Sequence, residues 1–311
     1  MLTVLISTRN GQQTLPLTLD SLCAQTLTQS SWKLVIVDNG SNDETSQILD
    51  SYRGRLPISI LSEQKPGKNR ALNLARGEVE GDLVIFSDDD IIFPKDWLEK
   101  HRQAADNNLS FDIFGGSIYP HWPRTPETWI LKYVPLGTVF SITEGSVPEG
   151  ECSIGVVWGA NFSVRRNVLD RFGLFPENIG PSGTQYAMGS ESAVLYSLAA
   201  HGHRSFFVAQ ARVHHIIRPN QMERSWILGR AQRFGRGQSR LSFGNSAPVT
   251  ELLGLPRWIL RNLVTAFFRS FITIHAGNKF IAEWDVNYAI GYIREYRLCK
   301  KELGGRSFGV K

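Results

Sequence analysis

Short apolar runs alternate with helix-patterned segments from residue 2 to residue 88. Residues 2–6 (LTVLI), 34–37 (LVIV), 58–61 (ISIL) and 83–86 (LVIF) are apolar at nearly every position, the pattern of strands buried on both faces. Between them Leu15, Leu19 and Leu22, then Ile48, Leu49 and Tyr52, then Ala71, Leu72 and Ala75 recur at helical spacing. Thr14 is placed to cap the first of these helices, and Pro16 is tolerated in its first turn. The alternation predicts an α/β fold: a mostly parallel, Rossmann-like sheet covered on both faces by helices.

Each strand gives way to polar residues. Thr8, Arg9 and Asn10 follow the first and Asp38 the second; Lys68 and Arg70 come one short helix entry after the third; Asp88, Asp89 and Asp90 end the fourth. Ligands of such sheets bind beyond the carboxyl ends of the strands, so these side chains are expected to converge on one edge. Consecutive carboxylates repel unless a cation or hydrogen-bond donors offset them. A rigid strand end of this kind suits Mg²⁺ or Mn²⁺, hard cations that take oxygen ligands and share their shell with substrate phosphates. The plainer alternative is a solvated acidic turn ahead of Pro94. Neither G-x-G-x-x-G nor the P-loop pattern occurs, so phosphate is expected to meet a metal and cations rather than a glycine cradle.

The second half reads less directly. Residues 111–118 predict a strand carrying Gly115 and Gly116, where backbone can approach a sugar closely. Trp122, Trp129 and Tyr133 stand in a Pro-rich stretch, open to sugar stacking or to core packing. Residues 176–189 are rich in Gly and Pro, suiting a closing loop or a passive linker. A helix over 192–201 follows, with Glu191 at its start and Gly202 as its stop.

Beyond Pro219 the character changes. Arg224, Arg230, Arg233, Arg236 and Arg240 accompany Trp226, Ile227, Ala231 and Phe234, a basic amphipathic helix. Residues 258–274 are strongly apolar but interrupted by Arg261 and Arg269, which disfavours spanning a membrane and allows surface insertion. Residues 221–311 are therefore expected to form a helical extension. It would pack on the preceding domain, dimerise, or attach to an anionic membrane surface. Nucleic acid is not an expected partner, because no recognition module shows.

Composition narrows this picture only slightly. A chain of 311 residues with 42% hydrophobic and 20% charged residues can bury a large core. The net charge of +5 favours acidic partners such as nucleotides or anionic lipid. Cys23, Cys152 and Cys299 lie too far apart for a zinc motif, which suits a reducing, cytoplasmic setting. The first six residues lack the basic n-region and length of a signal peptide, and no apolar run reaches 18 residues.

Taken in order, the motifs resemble those of family 2 glycosyltransferases, whose fold is of the GT-A type. The matching stretches are residues 4–10 (VLISTRN), 35–41 (VIVDNGS), 66–73 (PGKNRALN) and 86–90 (FSDDD) with Pro94, Trp97 and Leu98. Residues 159–166 (GANFSVRR), 189–191 (GSE) and 213–215 (VHH) complete the set, covering roughly 1–220. The resemblance implies a catalytic domain over 1–220, with a nucleotide-binding half (1–100) and an acceptor half (101–220). It also implies an inverting, metal-dependent transfer of sugar from a nucleoside-diphosphate sugar, UDP-linked by expectation, to a hydroxyl of a sugar or lipid-linked acceptor. Cell-surface polysaccharide or glycolipid synthesis at the cytoplasmic face of a membrane is the implied setting.

Carried over by position, Asp38 would read the base, framed by Thr8, Arg9 and Asn10. Lys68 or Arg70 would neutralise phosphate, Asp88 and Asp89 would serve the donor, and Asp90 would hold Mn²⁺ or Mg²⁺. His215 is the implied further metal ligand, with His214 as its alternative. Gly116, Trp158, Gly159 and Asn161 fall on the acceptor or sugar side. Many relatives carry Glu-Asp where this chain has Ser190-Glu191, so Glu191 takes the place of the catalytic base. A nucleotidyl- or phosphoryl-transfer enzyme would use the same acidic cluster but leave Glu191 and residues 159–166 without a role. A silent, membrane-docked binding module would not need the acidic set.

Overall fold

The structure is a computed structural model and describes all residues except 144, 146, 173–174, 183–185, 246–249 and 303–311. The chain separates into two compact units. The first comprises Met1–His121, Phe140–Glu177 and Ser190–Ile217; the second comprises Trp122–Val139, Asn178–Gly189 and Arg218–Lys311. Residues 122–139 and 178–189, kept within residues 1–220 by the sequence reading, thus cluster with the C-terminal helices.

The first unit opens with β1 (Leu2–Thr8), α1 (Leu15–Cys23), β2 (Trp32–Asp38), α2 (Thr45–Ser51), β3 (Ile58–Ser62), α3 (Lys68–Ala75) and β4 (Leu83–Asp88). Each apolar run in the sequence is one of these strands. Val4 and Ile6 pack on one face with Leu15, Leu19, Leu34 and Ile36, while Leu5 points to the other with Val35, Ala71 and Leu72. Side chains alternate across a strand, so apolar residues at every position mean helices on both faces. Thr14 precedes α1 with Pro in its first turn, but the Thr14 side chain makes no capping hydrogen bond.

There follow β5 (Ile91–Ile92), α4 (Trp97–Asn107) and β6 (Ile113–His121); α5 (Thr128–Tyr133) and all but the last residue of α6 (Leu136–Phe140), next in the chain, belong to the second unit. The first unit closes with β7 (Gly150–Cys152), β8 (Asn161–Arg165), α7 (Arg166–Phe172), α8 (Ser190–Ala200) and β9 (Ser205–Ile216). The sheet has nine strands in the order β3-β2-β1-β4-β8-β6-β9-β5, with β7 beside β9. The first four neighbours are parallel; β8 then enters antiparallel between β4 and β6. That reversal matters for the site. It brings the start of β8 to the edge where β4 ends, pairing Asn161 with Ser87.

The second unit is helical: α9 (Arg224–Asn245), the short hairpin β10 (Glu251–Leu252) and β11 (Leu255–Pro256), α10 (Arg257–Ile272) and α11 (Ala276–Glu302). The basic row of α9 is not a free cationic face. Arg224 pairs with Glu283, and Arg236 and Arg240 both reach Glu295, which is fully buried on α11. Glycines allow the close approach: a Cβ at Gly235 would lie 2.1 Å from the Tyr288 carbonyl oxygen, and one at Gly291 2.1 Å from that of Gln232. Among the described residues no helix is long and apolar enough to cross a membrane. All three cysteines are free thiols.

Candidate functional site

Register in the parallel half of the sheet brings the polar strand ends together. Thr8 stands opposite Asp38, and Ser7 opposite Asp88. The loops after β1 and β2 are then stitched to each other. Asn10 donates its backbone N–H to Ser41 Oγ at 2.9 Å, and its Oδ1 accepts from the Asn42 N–H at 3.0 Å. Asn10 holds a positive φ of 54°, a conformation Asn tolerates better than most residues. Asp38 Oδ1 accepts from the Ser41 N–H at 2.9 Å. Arg9 lies exposed at the mouth of these loops.

Thr8 is tied to the acidic triplet. It is buried, and its hydroxyl donates to Asp89 Oδ2 at 2.5 Å. Thr18 Oγ1 donates to the Asp89 carbonyl at 3.0 Å. Two threonines therefore fix the middle residue of the acidic triplet, while the flanking Asp88 and Asp90 remain close enough to feel each other's charge.

On one side, Lys68 at the start of α3 forms ion pairs with both Asp88 and Glu191. Burial alone would lower the Lys68 pKa, but the two carboxylates outweigh it and hold the ammonium charged well above its ordinary value. Asp88 is pushed the other way. Burial raises its pKa, Lys68 opposes that rise, and the charges of Glu191 and Asp90 add to it. One ammonium among three carboxylates leaves excess negative charge, which is the condition for capturing a cation or a cation-bearing substrate.

Glu191 occupies the first turn of α8, where the helix dipole favours a carboxylate. It rests against the Trp158–Ala160 turn, and a Cβ at Gly159 would stand 2.6 Å from Glu191 Cδ. A side chain at residue 159 would have to displace this carboxylate. Trp158 is partly buried against the core beneath. Arg70, two residues along α3 from Lys68, pairs with Glu177, a contact that leaves Lys68 as the cation central to the acidic cluster. Of the loop over 176–189, residues 183–185 lie outside the described residues.

On the other side, Asp90 faces His215. β5 pairs with β9 so that Ile91 lies opposite His215, and Asp90 Oδ1 comes within 3.5 Å of His215 Nε2. Both side chains are largely buried, and His215 Nδ1 donates to the Phe140 carbonyl at 2.6 Å. That bond fixes the ring and aims Nε2 at Asp90. Burial lowers the His215 pKa, but Asp90 and the Phe140 carbonyl together raise it above the usual imidazole value. His214 points elsewhere, its ring beside Tyr119. Among the described residues no three His, Cys, Asp or Glu side chains are gathered as a ready metal shell. A carboxylate oxygen and an oriented imidazole nitrogen nonetheless form a donor pair that suits a divalent cation, with phosphate oxygens as the remaining ligands.

Asn161 and Gly116 do not face a substrate. Asn161 is fully buried, and its amide is consumed within the protein. Its Nδ2 donates to the Ser117 and Ala211 carbonyls at 3.0 and 2.7 Å, and its Oδ1 accepts from Trp97 Nε1 at 2.9 Å and meets His101 Nε2 at 3.0 Å. Gly116 is a glycine because a Cβ there would lie 2.3 Å from both Asn161 Nδ2 and the Ala211 oxygen. The two residues support the floor of the site. His101, equally buried, was not singled out in the sequence; a His on the apolar face of α4 gives no local signal of this network.

The family model for "Glycosyl transferase family 2" matches residues 3–173. A glucosyl-dolichyl phosphate glucuronosyltransferase of Haloferax volcanii is 26% identical over 227 residues, covering 72% of this chain and 70% of that protein. Glycosyltransferase AglE of the same organism is 24% identical over 263 residues, covering 83% and 79%. In fold, the chain is similar to the mannosyltransferase PcManGT of Pyrobaculum calidifontis, solved with GDP-Man and Mn²⁺. The TM-score is 0.59 at 17% identity, over 99% of this chain and 76% of that one. It is also similar to TarS of Staphylococcus aureus solved with UDP-GlcNAc, with a TM-score of 0.54 at 16% identity, over 100% and 93%. A nucleotidyltransferase and a silent binding module are thereby set aside: the chain belongs to glycosyl transferase family 2 and is a glycosyltransferase of GT-A type.

Proposed function

We propose that the chain is an inverting, divalent-metal-dependent glycosyltransferase. It takes sugar from a nucleoside-diphosphate donor, UDP-linked, and delivers it to a hydroxyl of a sugar or lipid-linked acceptor. The observation that carries this reading is the placement of Lys68 between Asp88 and Glu191 beneath the Gly159 turn. A phosphate-seeking cation and a candidate base share one corner.

Asp38 and the Arg9–Asn10 loop receive the base, and Asp88 the ribose. Glu191 accepts the proton of the acceptor hydroxyl as that oxygen attacks the anomeric carbon. The bond to the nucleoside diphosphate breaks on the opposite face, which inverts the anomeric centre. Lys68 offsets charge growing on the departing phosphate. Held by Asp90 and His215, Mn²⁺ or Mg²⁺ would supply further charge neutralisation at the diphosphate.

Relatives support the parts of this reading to different degrees. The structural neighbours hold GDP-Man and UDP-GlcNAc, both nucleoside-diphosphate sugars, and one holds Mn²⁺. The glucuronosyltransferase relative acts on a glucosyl-dolichyl phosphate, which favours a lipid-linked acceptor, glycolipid or polysaccharide synthesis, and attachment to the cytoplasmic face of a membrane through residues 221–311. Incubation with a panel of UDP- and GDP-sugars, Mn²⁺ and simple glycoside acceptors tests the chemistry. Free nucleoside diphosphate and a product of inverted anomeric configuration by NMR are expected. A retained configuration would overturn the single displacement.

A further inference from the structure

α10 ends in an apolar tip that the protein leaves uncovered. Its inner face is anchored by Ile259 and Ala266, both buried. Its outer end carries Phe268 at 60% exposure, Phe271 and Ile272 at 74% each, and, just past the helix, Ile274 at 100%. Phe267 gathers the aromatic rings, with centroids 6.1 Å from Phe268 and 4.8 Å from Phe271. A contiguous cluster of this size on a helix end is not the scattered exposure normal for a soluble surface.

Charge says what covers it. Residues 257–279 contain no Asp or Glu, while Arg261 and Arg269 on α10 and Lys279 early in α11 are exposed. The carboxylate that acts on Arg269 is Asp285 of α11, half-buried and with its pKa pushed up by burial. A second copy packed symmetrically on this face would bring these cations against their own counterparts with no carboxylate from the segment to offset them. An anionic bilayer offers both complements, acyl chains for the phenylalanines and headgroup charge for the rim. At 16 residues α10 is too short to span a bilayer, so an in-plane position is the one such a surface would offer it.

We infer that the tip of α10, Phe268, Phe271, Ile272 and Ile274 with the Arg269–Lys279 rim, inserts into an anionic lipid surface. This rests on the membrane-surface part of the proposed function, not on its chemistry, and replaces the arginine row of α9 as the contact, since several of those arginines are held by Glu283 and Glu295.

The full chain is co-sedimented with phosphatidylcholine vesicles with and without phosphatidylglycerol, while sedimentation velocity reports its oligomeric state. Variant F268S/F271S/I272S removes the tip and R269Q/K279Q the rim; all are exposed, and melting curves verify folding. The wild type is expected to bind the anionic vesicles. The tip variant should bind at least about 10-fold more weakly, since each buried aromatic or aliphatic side chain is worth that order. The rim variant should lose the preference for phosphatidylglycerol. Wild type that ignores both vesicles would sink the membrane-surface reading as a whole. Wild type that binds while the tip variant binds equally well overturns the tip alone. A dimer that the tip substitutions dissociate, without vesicle binding, would assign the surface to a second copy. Transfer to a soluble acceptor should be the same in the tip variant and the wild type, which separates this test from the chemistry.

Discussion

Asp88 and Glu191 meet through a single ammonium, that of Lys68, although one ends a central strand and the other begins a helix far along the chain. In the proposed reaction a donor's phosphates would compete with both carboxylates for that ammonium.

Glu191→Gln keeps shape and hydrogen bonding but accepts no proton. Donor affinity is expected to persist while transfer falls by at least ~10²-fold, the lower range for a lost general base. Glu191→Asp should retain part of the rate. Titration calorimetry of the donor beside a transfer assay checks both, and near-normal turnover in the Gln variant would refute the assignment.

Removing the Lys68 charge acts on the donor instead. Lys68→Met should weaken nucleoside-diphosphate binding by roughly 10- to 100-fold, the scale of a lost charge-assisted hydrogen bond. Binding of UDP measured by calorimetry decides. Unaltered affinity would mean that Lys68 serves only to tie the two carboxylates.

Asp90→Ala and His215→Ala should each abolish the gain in donor affinity that Mn²⁺ or Mg²⁺ confers, because each deletes one of two candidate ligands. His214→Ala, with its ring turned toward Tyr119, should leave that gain intact. Thermal shifts with donor, with and without metal, distinguish the three variants.

His101 predicts an acid limb in stability. Burial lowers its pKa from 6.5 to about 4, against a hydrogen bond to Asn161 that raises it. The unfolded chain therefore binds the proton first as pH falls. Stability declines as pH drops from 6.5 toward 4 and levels off below, a loss of about 3 kcal/mol across the window. His101→Gln should lower stability at neutral pH yet flatten this limb. Denaturant melts of both proteins between pH 4 and 7 measure the difference.

Glu295 tests the helical unit. It is fully buried between Arg236 and Arg240, so Glu295→Gln leaves two cations sharing a neutral partner. A destabilisation of about 3–5 kcal/mol is expected from breaking a buried pair by one side. Calorimetry should show it in the melting of the C-terminal helices.

The parallel half of the sheet and its acidic edge were legible because both faces are apolar and every strand there ends in a polar residue. Asp88 and Asp90 could be found that way. Their division of labour could not, since it depends on Thr8 and Thr18 holding Asp89 from a different element. The place of β8 beside β4 leaves no local trace either, and with it Asn161 was read as facing substrate when its partners come from α4, β6 and β9. The arginines of α9 read as a basic face because Glu283 and Glu295 lie far ahead in the chain; only folding shows that Arg224, Arg236 and Arg240 are paired. Exposed Phe271 and Ile272 look in sequence like any core helix.

The Asn161 amide also settles a proton. Its NH₂ must face the two carbonyls of Ser117 and Ala211, so its oxygen must face Trp97 and His101. Rotating the amide by half a turn would set like against like at the Ser117, Ala211 and Trp97 contacts. His101 is therefore the Nε2–H tautomer, and its bare Nδ1 takes the hydroxyl proton of Ser163 at 3.0 Å. The orientation of one asparagine thus dictates which nitrogen of a neighbouring ring carries hydrogen and which way a serine points. The site's floor has one proton arrangement, without the interchangeable alternatives that a histidine usually keeps.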